Sequence, residues 1–257
     1  MSTPPPRPAI GSIEWTERTG GVLTPRERWS LAGPLLRDEL QIVRGAGALA
    51  LRRHPGRRTH LDPAVLQPPD SALARDAEVA ARDLLSTALL NHSHRAYAWG
   101  AALAALDDVT FDRELLHVAA MLHDTGLPSP VPRVDFTVHS ARVAREIADA
   151  HGMTTADREV VANAISLHHT PGVGLDQGAE AFLLSAGAGV DVFGLRAARL
   201  PDAVRRQVVA QFPRTGFKRE FARLFREEAR QVPHGRAWFL HRFALSDVSI
   251  RLAPFRG

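Results

Sequence analysis

Side chains that can bind a metal recur along the chain at wide intervals. They are His92, the adjacent pair His123 and Asp124, and Asp191. Three nitrogen or oxygen ligands can hold a divalent cation and leave one coordination position free, which distinguishes a catalytic metal site from a structural one. A cation in such a site lowers the pKa of a bound water and produces a nucleophile. These residue types therefore indicate hydrolytic metal chemistry.

The two aspartates stand in apolar surroundings. Asp124 follows the apolar run 118–122, and Asp191 lies in the segment 183–193, which is otherwise small and apolar. A buried carboxylate is costly unless it is paired with a cation or hydrogen-bonded. Spacing alone leaves three interpretations open for these residues, namely a metal ligand, the partner of an arginine, or the cap of a helix terminus.

The composition limits the location of the protein and the type of metal site. The chain has 257 residues, 45% of them hydrophobic, which predicts one domain with extensions. It contains no run of about 18 apolar residues, so no membrane span is predicted. Residues 1–10 lack the apolar stretch of a signal peptide, and a cytoplasmic location is expected. Because Cys is absent, a metal must be held by His and carboxylate, which suit zinc, iron or manganese.

Arginine supplies nearly all of the positive charge, since Lys218 is the only lysine among 32 basic residues. The residues at 52–53 and 57–58 form a local basic cluster. Acidic residues are nevertheless spread throughout, and the formal net charge is only +4, which is weak evidence for a nucleic-acid partner. We interpret the basic cluster as solvated surface.

The N-terminal part is predicted to be an extension of the main domain. Residues 1–22 read as a loose tail. Thr24, Pro25 and Glu27 then form a capping-box pattern with proline at the first helical position, which predicts a helix to about residue 43. The segment 52–71 is rich in Arg, Pro and His and is predicted to be a loop. The predicted units are therefore an N-terminal tail and helical extension at 1–70 and a helical bundle at 71–257.

Helical patterns fill the rest of the chain, and no segment shows the alternation of a β-strand. Gly126 and Gly152 are glycines of the kind that end helices, and each is predicted to close one. The predicted helices cover about 76–106, from after 110 to 126, 135–151, 154–168, 178–193, from 200 onward, and 217–231. The predicted fold class is all-α. His92 lies inside the first of these helices, and the His123-Asp124 pair closes the second.

The order His, then His-Asp, then Asp on successive helices resembles the HD-domain superfamily of metal-dependent hydrolases. Longer segments are similar to its cyanamide hydratase-like branch, over about residues 75–230. These segments are Asn91-His92-Ser93-x-Arg95, Met121-Leu122-His123-Asp124-Thr125-Gly126-Leu127, Ala164-Ile165-Ser166-Leu167-His168, Pro171-Gly172-Val173 and Gly189-Val190-Asp191-Val192-Phe193-Gly194. The resemblance implies a bundle of at least five helices around one metal, with His92, His123, Asp124 and Asp191 as its ligands.

The chain departs from that branch at several positions. Thr137 stands where relatives tend to carry an acid, and Ser140 stands where they carry glycine, so strict cyanamide specificity is not implied. His94 replaces a usual aromatic residue and is expected to form a pocket wall. His139 and His168 occupy places suited to a second metal in two-metal members of the superfamily. The alternative for both is an ordinary histidine at a helix end.

The expected activity is hydrolysis or hydration of a small molecule, such as a nitrile or a related C–N compound, by metal-activated water. Zinc is the first candidate metal, with iron or manganese as alternatives. Asp124 would orient the water, and His168 or His94 would transfer protons. Arg95 would either clamp an anionic substrate or pair with a buried aspartate.

Other functions stay open at this stage. A two-metal HD enzyme could be a phosphohydrolase of a nucleotide or phosphate ester, or a di-iron oxygenase. However, the lysine usual after His-Asp in cyclic-dinucleotide phosphodiesterases is missing, because the chain reads His123-Asp124-Thr125-Gly126-Leu127. A binding module without catalysis is disfavoured by the intact ligand set, and no membrane partner is expected. The N-terminal extension could cover the bundle, close the pocket or join copies in a homo-oligomer.

Overall fold

The computed structural model describes residues 8–244, 249–250 and 253–255. Within these residues the secondary structure is eleven α-helices with short 3-10 turns and no β-strand, so the all-α prediction is confirmed. The helices are α1 (Ile13–Thr19), α2 (Pro25–Ala50), α3 (Ala72–Leu84), α4 (Thr87–Asp107), α5 (Arg113–Leu122), α6 (Phe136–Ala150), α7 (Thr155–Leu167), α8 (Ala179–Phe193), α9 (Asp202–Gln211), α10 (Phe217–Gln231) and α11 (Arg236–Phe243).

Helix α4 is the central helix of the bundle. Its residues between Ala88 and Ala104 are nearly all buried. One side of α4 contributes Leu89 and Ala96 to the larger core cluster, whereas another side contributes Trp99 and other residues to a second cluster packed on α9. Because both sides are covered, α4 shows little amphipathic patterning, as expected for a fully buried helix.

The close approach of α4 and α8 depends on a glycine. A Cβ atom at Gly187 of α8 would collide with the backbone carbonyl oxygen of Ala96 in α4. A larger residue there would force the two helices apart. The contact places Asp191, about one turn after Gly187, beside His92, about one turn before Ala96.

Residues 8–22 correct the predicted loose tail, whose residues 1–7 lie outside the described part of the chain. Ser12 caps α1, and Gly20 ends it with a positive φ of 64°. The short helix is held by tertiary contacts. The indole of buried Trp15 donates to Glu27 at 2.8 Å, and the hydroxyl of Thr16 lies 2.8 Å from that of Ser166 in α7. Seven residues carry too little periodicity for these contacts to be predicted.

Two other boundaries differ from the predictions. The expected single helix over 76–106 is interrupted, because Leu85 is extended and Ser86 caps α4 through the amide of Leu89. A serine hydroxyl can replace a backbone acceptor in this way, so no Pro or Gly is needed for the break. Helix α2 continues past residue 43 to Ala50, with Pro34 inside it. Helix α11 was not predicted from the sequence.

The capping box of α2 is confirmed, since the side chains and amides of Thr24 and Glu27 bond each other reciprocally. The loop 52–71 contains two 3-10 turns, Pro55–Arg58 and Pro63–Leu66. Among the described residues, no helix combines the length and apolar character needed to cross a bilayer. The boundary between predicted units near residue 70 stays a prediction.

Candidate metal centre

Three predicted ligands meet at one point in the interior. The Nε2 atoms of His92 and His123 are 3.2 Å apart. The Oδ2 atom of Asp124 lies 3.6 Å from the first and 3.4 Å from the second. Ligands at about 2.0–2.1 Å from a tetrahedral zinc are separated by about 3.3 Å. The three atoms therefore have the spacing of neighbours in one coordination shell.

Hydrogen bonds at the other ring nitrogens set the tautomers of these histidines. His92 Nδ1 lies 2.7 Å from the carboxylate of Asp191, and His123 Nδ1 lies 2.7 Å from the carbonyl oxygen of Ala120. Both partners accept, so each Nδ1 carries the proton and each Nε2 presents a lone pair. A donated Nδ1–H is the usual arrangement of metal-binding histidines.

His168 is oriented in the same way. Its Nδ1 donates to the carbonyl oxygen of Ile165 at 2.6 Å. Its Nε2 lies 3.7 Å from Oδ1 of Asp124, whereas Oδ2 is the oxygen that contacts His92 and His123. Burial, reinforced by the neighbouring histidines, holds the pKa of His168 well below its usual range. The imidazole is therefore neutral and can act as a ligand or accept a proton.

The Asp124 carboxylate has no hydrogen-bond partner within the described residues, although only 1% of its surface is exposed. Its neighbours are the lone pairs of His92 and His123. Burial also lowers the pKa of His123, an effect that Asp124 opposes and His92 reinforces. An unpaired buried carboxylate beside two Nε2 atoms whose rings already donate at Nδ1 is unfavourable unless a cation lies between them. The donor set therefore fits a divalent metal.

Asp191 occupies the opposite side of His92. Its two oxygens accept from Nε and Nη2 of Arg95 at 2.8 and 2.9 Å, and Oδ1 also accepts from Arg214 and Trp99. Burial would raise the pKa of Asp191, but the two guanidinium groups hold it well below its usual range. Asp191 is thus ionised and fully hydrogen-bonded, and the structure brings it to Nδ1 of His92 rather than to the Nε2 cluster.

Arg95 and His94 both point away from the three-ligand cluster. Arg95 is fully buried and its remaining donors bind the carbonyl oxygens of Phe212 and Pro213. The His94 ring stacks on the ring of Phe212, with centroids 4.5 Å apart. Neither residue lines the cavity above the cluster.

His139 lies outside the cluster. It is half-buried near the start of α6, and its Nδ1 accepts from Arg142 at 3.1 Å. In the described part of the chain, one group of three or more His, Asp or Glu ligand atoms lies within 4.8 Å of one another, and it consists of His92, His123 and Asp124. The structure does not bring His139 and His168 together as a second group.

A cavity of about 80 Å³ opens above the cluster. His92, Asp124 and His168 contribute to its base, and apolar side chains such as Phe136 and Phe221 form much of its wall. Among the described residues that line it, none is Lys or Arg, whereas α2 contributes Asp38 and Glu39. The cavity has room for solvent and a small molecule, and its lining offers no positive charge to an anion.

Several residues of the site were missed in the sequence. Arg214 bonds both the carboxylate and the backbone carbonyl of Asp191, and the Phe217 ring stacks on His92 with centroids 4.8 Å apart. An arginine carries little signal in a chain with so many of them. The apolar face of α10, with Phe217 and Phe221, is visible in the sequence, but its partner is not.

Residues 89–209 match the family model of the HD domain. The match contains His92, the His123-Asp124 pair, His168 and Asp191, and it supports assigning this part of the chain to the HD superfamily. HD domains bind divalent metals and typically belong to metal-dependent hydrolases. No curated protein matches the chain. The cyanamide hydratase-like branch stays a prediction.

Proposed function

We propose that the chain is a metal-dependent hydrolase or hydratase that acts on a small uncharged molecule. The observation that carries the proposal is the convergence of two imidazole lone pairs on a buried carboxylate that has no other partner among the described residues. His92, His123 and Asp124 would hold the metal. When bound, a divalent metal supplies Lewis acidity and lowers the pKa of a coordinated water.

The chain's own residues would organise the reaction around that metal. The carboxylate of Asp191 and the carbonyl of Ala120 hold the rings of His92 and His123 with their lone pairs inward. His168 lines the cavity with a neutral Nε2 beside Asp124, so it would accept a proton from the attacking water or serve as a further ligand. The apolar part of the wall offers a surface against which an uncharged substrate can pack.

Asp191 and Arg95 have positioning roles in this proposal. Their mutual ion pair fixes the orientation of His92, and all three guanidinium nitrogens of Arg95 already donate to groups of the protein. His94 would act only through its packing on Phe212. Zinc remains the first candidate metal because nitrogen and carboxylate donors suit it, and iron and manganese suit the same donors.

The lining of the cavity supports a nitrile-like or related C–N substrate over a phosphate ester. Phosphate recognition usually requires cationic clamps, and the described lining residues include no Lys or Arg. The resemblance of the segments around His92 and Asp191 to the cyanamide hydratase-like branch supports the same substrate class. The alternative two-metal enzyme would require a second group around His139 and His168.

Metal analysis combined with a substrate screen tests the proposal. The full chain is purified, its metal content is measured, and the protein is stripped and reloaded with zinc, iron or manganese before assays with nitriles, phosphate esters and nucleotides. We expect one ion per chain and turnover of nitriles. His123→Ala should lose both the ion and the activity, whereas the matched variant His139→Ala should keep both. Full metal content and activity in His123→Ala would refute the site, and loss of one of two ions in His139→Ala would establish the two-metal alternative.

A further inference from the structure

The outer face of α2 exposes large apolar side chains to solvent. Trp29, Leu36, Leu40 and Val43 are 81%, 62%, 46% and 68% exposed. We call these four residues the α2 stripe. They recur every three, four or seven residues, so they lie on one face of the helix. Soluble monomers rarely expose a contiguous apolar surface of this kind, and such surfaces usually mark an interaction site.

The α2 stripe is distinct from the face of α2 that packs on its own molecule. Leu31 and Leu35 are buried, and Ile42 lines the cavity above the metal centre. Helix α2 is therefore apolar on two faces, and the inner face alone is covered by the bundle. The stripe continues into a shallow groove that Trp29 and Leu36 share with Phe243, which is 54% exposed.

The spacing of the α2 stripe is that of a coiled-coil seam. Trp29, Leu36 and Val43 are seven residues apart and take the d positions, so Leu40 takes an a position. The other a positions within α2 are Arg26, Gly33 and Gly47, all exposed. Seams of this period are self-complementary, because each knob of one helix can enter a hole between residues of an identical helix. The two glycines also allow two backbones to approach closely.

Charges on the two sides of the stripe favour one orientation. In this register Arg37 and Arg44 take e positions on one side, and Glu39 takes a g position on the other. In a parallel pair each g residue faces the e residue of the next heptad on the second helix. Glu39 would therefore face Arg44 of the second copy, twice by symmetry. In an antiparallel pair the arginine sides of the two helices would face each other, which is repulsive.

We propose that a second copy of this chain binds the α2 stripe, so that two α2 helices pair in parallel around a two-fold axis. The interface consists of the stripe at its centre and the Glu39–Arg44 pairs at its edges. Because the inner face of the same helix lines the cavity, pairing also holds that wall of the cavity in place. The proposal does not depend on the metal or on the reaction.

The oligomeric state of the full chain tests this proposal. Size-exclusion chromatography with light scattering should give the mass of a dimer for the wild type and of a monomer for Leu36→Glu and Leu40→Glu, with unchanged helical circular dichroism. The matched control is Leu175→Glu, because Leu175 is 53% exposed and lies outside the stripe. It should remain dimeric. A monomeric wild type would overturn the proposal, and so would a dimer that both stripe variants leave intact.

Single introduced cysteines test the parallel orientation. Because the sequence contains no Cys, an introduced cysteine can form a disulfide only with the same residue of the second copy. Val43→Cys should form a disulfide-linked dimer on mild oxidation, because residue 43 faces its own symmetry mate only in a parallel pair. Val79→Cys, at an exposed position on α3, should not. A Val43→Cys dimer that fails to cross-link would refute the parallel arrangement. Glu39→Arg should weaken the dimer, and Glu39→Arg combined with Arg44→Glu should restore it.

Discussion

Asp124 and Asp191 lie on opposite sides of His92, and their surroundings differ in almost every respect except burial. Asp191 accepts hydrogen bonds from two arginines, a tryptophan and His92. Asp124 has no hydrogen-bond partner among the described residues and faces only imidazole lone pairs. Within the described residues the protein supplies partners to the carboxylate of Asp191 and none to that of Asp124. The difference supports the proposal that Asp124 is a metal ligand and that Asp191 positions His92.

The largest effect is expected from Asp124→Asn. The amide removes the anionic ligand and presents a weaker donor, so the bound metal and the activity should both be lost. Metal content by elemental analysis checks this. In the chelator-treated protein the same change removes an unpaired buried charge, so the free energy of unfolding should be unchanged or higher by about 1 kcal/mol. A clear loss of stability in the metal-free protein would show that Asp124 is paired within the fold.

The second-largest effect is expected from Asp191→Asn. Unlike Asp124→Asn, it should lower the stability of the metal-free protein. It leaves two buried guanidinium groups without their counter-charge, which should lower the free energy of unfolding of the metal-free protein by about 3–5 kcal/mol. Urea denaturation in the presence of a chelator measures this, with Asp124→Asn as the matched Asp→Asn control. Equal free energies of unfolding for the two variants would contradict the conclusion that Asp191 is paired within the fold and Asp124 is not.

A smaller effect, spread over pH, is expected at a third buried carboxyl. Burial and the nearby Asp135 raise the pKa of Glu228 to about 8, so the folded state keeps a proton that the unfolded state releases near the ordinary value of 4.5. The stability from this group is present below that value and is lost as the pH rises through 8. Glu228→Gln cannot lose this proton. Between pH 4.5 and about 8, the free energy of unfolding of the variant should therefore rise relative to that of wild type by up to about 1.4 kcal/mol per pH unit.

Denaturation of wild type and Glu228→Gln at pH 5, 6, 7 and 8 checks this slope. The partly exposed Glu227 on the same helix provides the control, because Glu227→Gln should show a difference from wild type that stays constant over this range. A pH-independent difference for Glu228→Gln would mean that the Glu228 carboxyl is ionised in the folded state, as the Asp191 carboxyl is.

The helical class and most helix positions follow from local patterns. The capping signals at Thr24 and Ser86 show which helix starts can be recognised in the sequence and which cannot. The first has a proline and a glutamate beside it and was recognised, whereas the second is a lone serine between two Ala/Leu-rich stretches and was not. Helix α1 was missed for a related reason, since it is stabilised by Trp15 and by contacts with α7 rather than by its own periodicity.

The candidate site was predictable to the level of residue type and order. A histidine and an adjacent His-Asp pair in apolar helices indicated metal chemistry, and the structure brings His92, His123 and Asp124 together. It could not be foreseen that Arg95 would bind Asp191 and not a substrate. Arg95 lies 96 residues from Asp191 along the chain, and their contact depends on the close packing of α4 against α8 at Gly187.

The amino-acid order alone defined which side chains could bind a metal, because ligand chemistry belongs to the residue type and the absence of cysteine left only histidine and carboxylate. The packing of the helices assigned the roles. In the folded chain two arginines and a tryptophan donate to Asp191, and none of these three donates to Asp124. Hydrogen bonds between side chains distant in the chain form only where the fold brings donors within about 3 Å of acceptors.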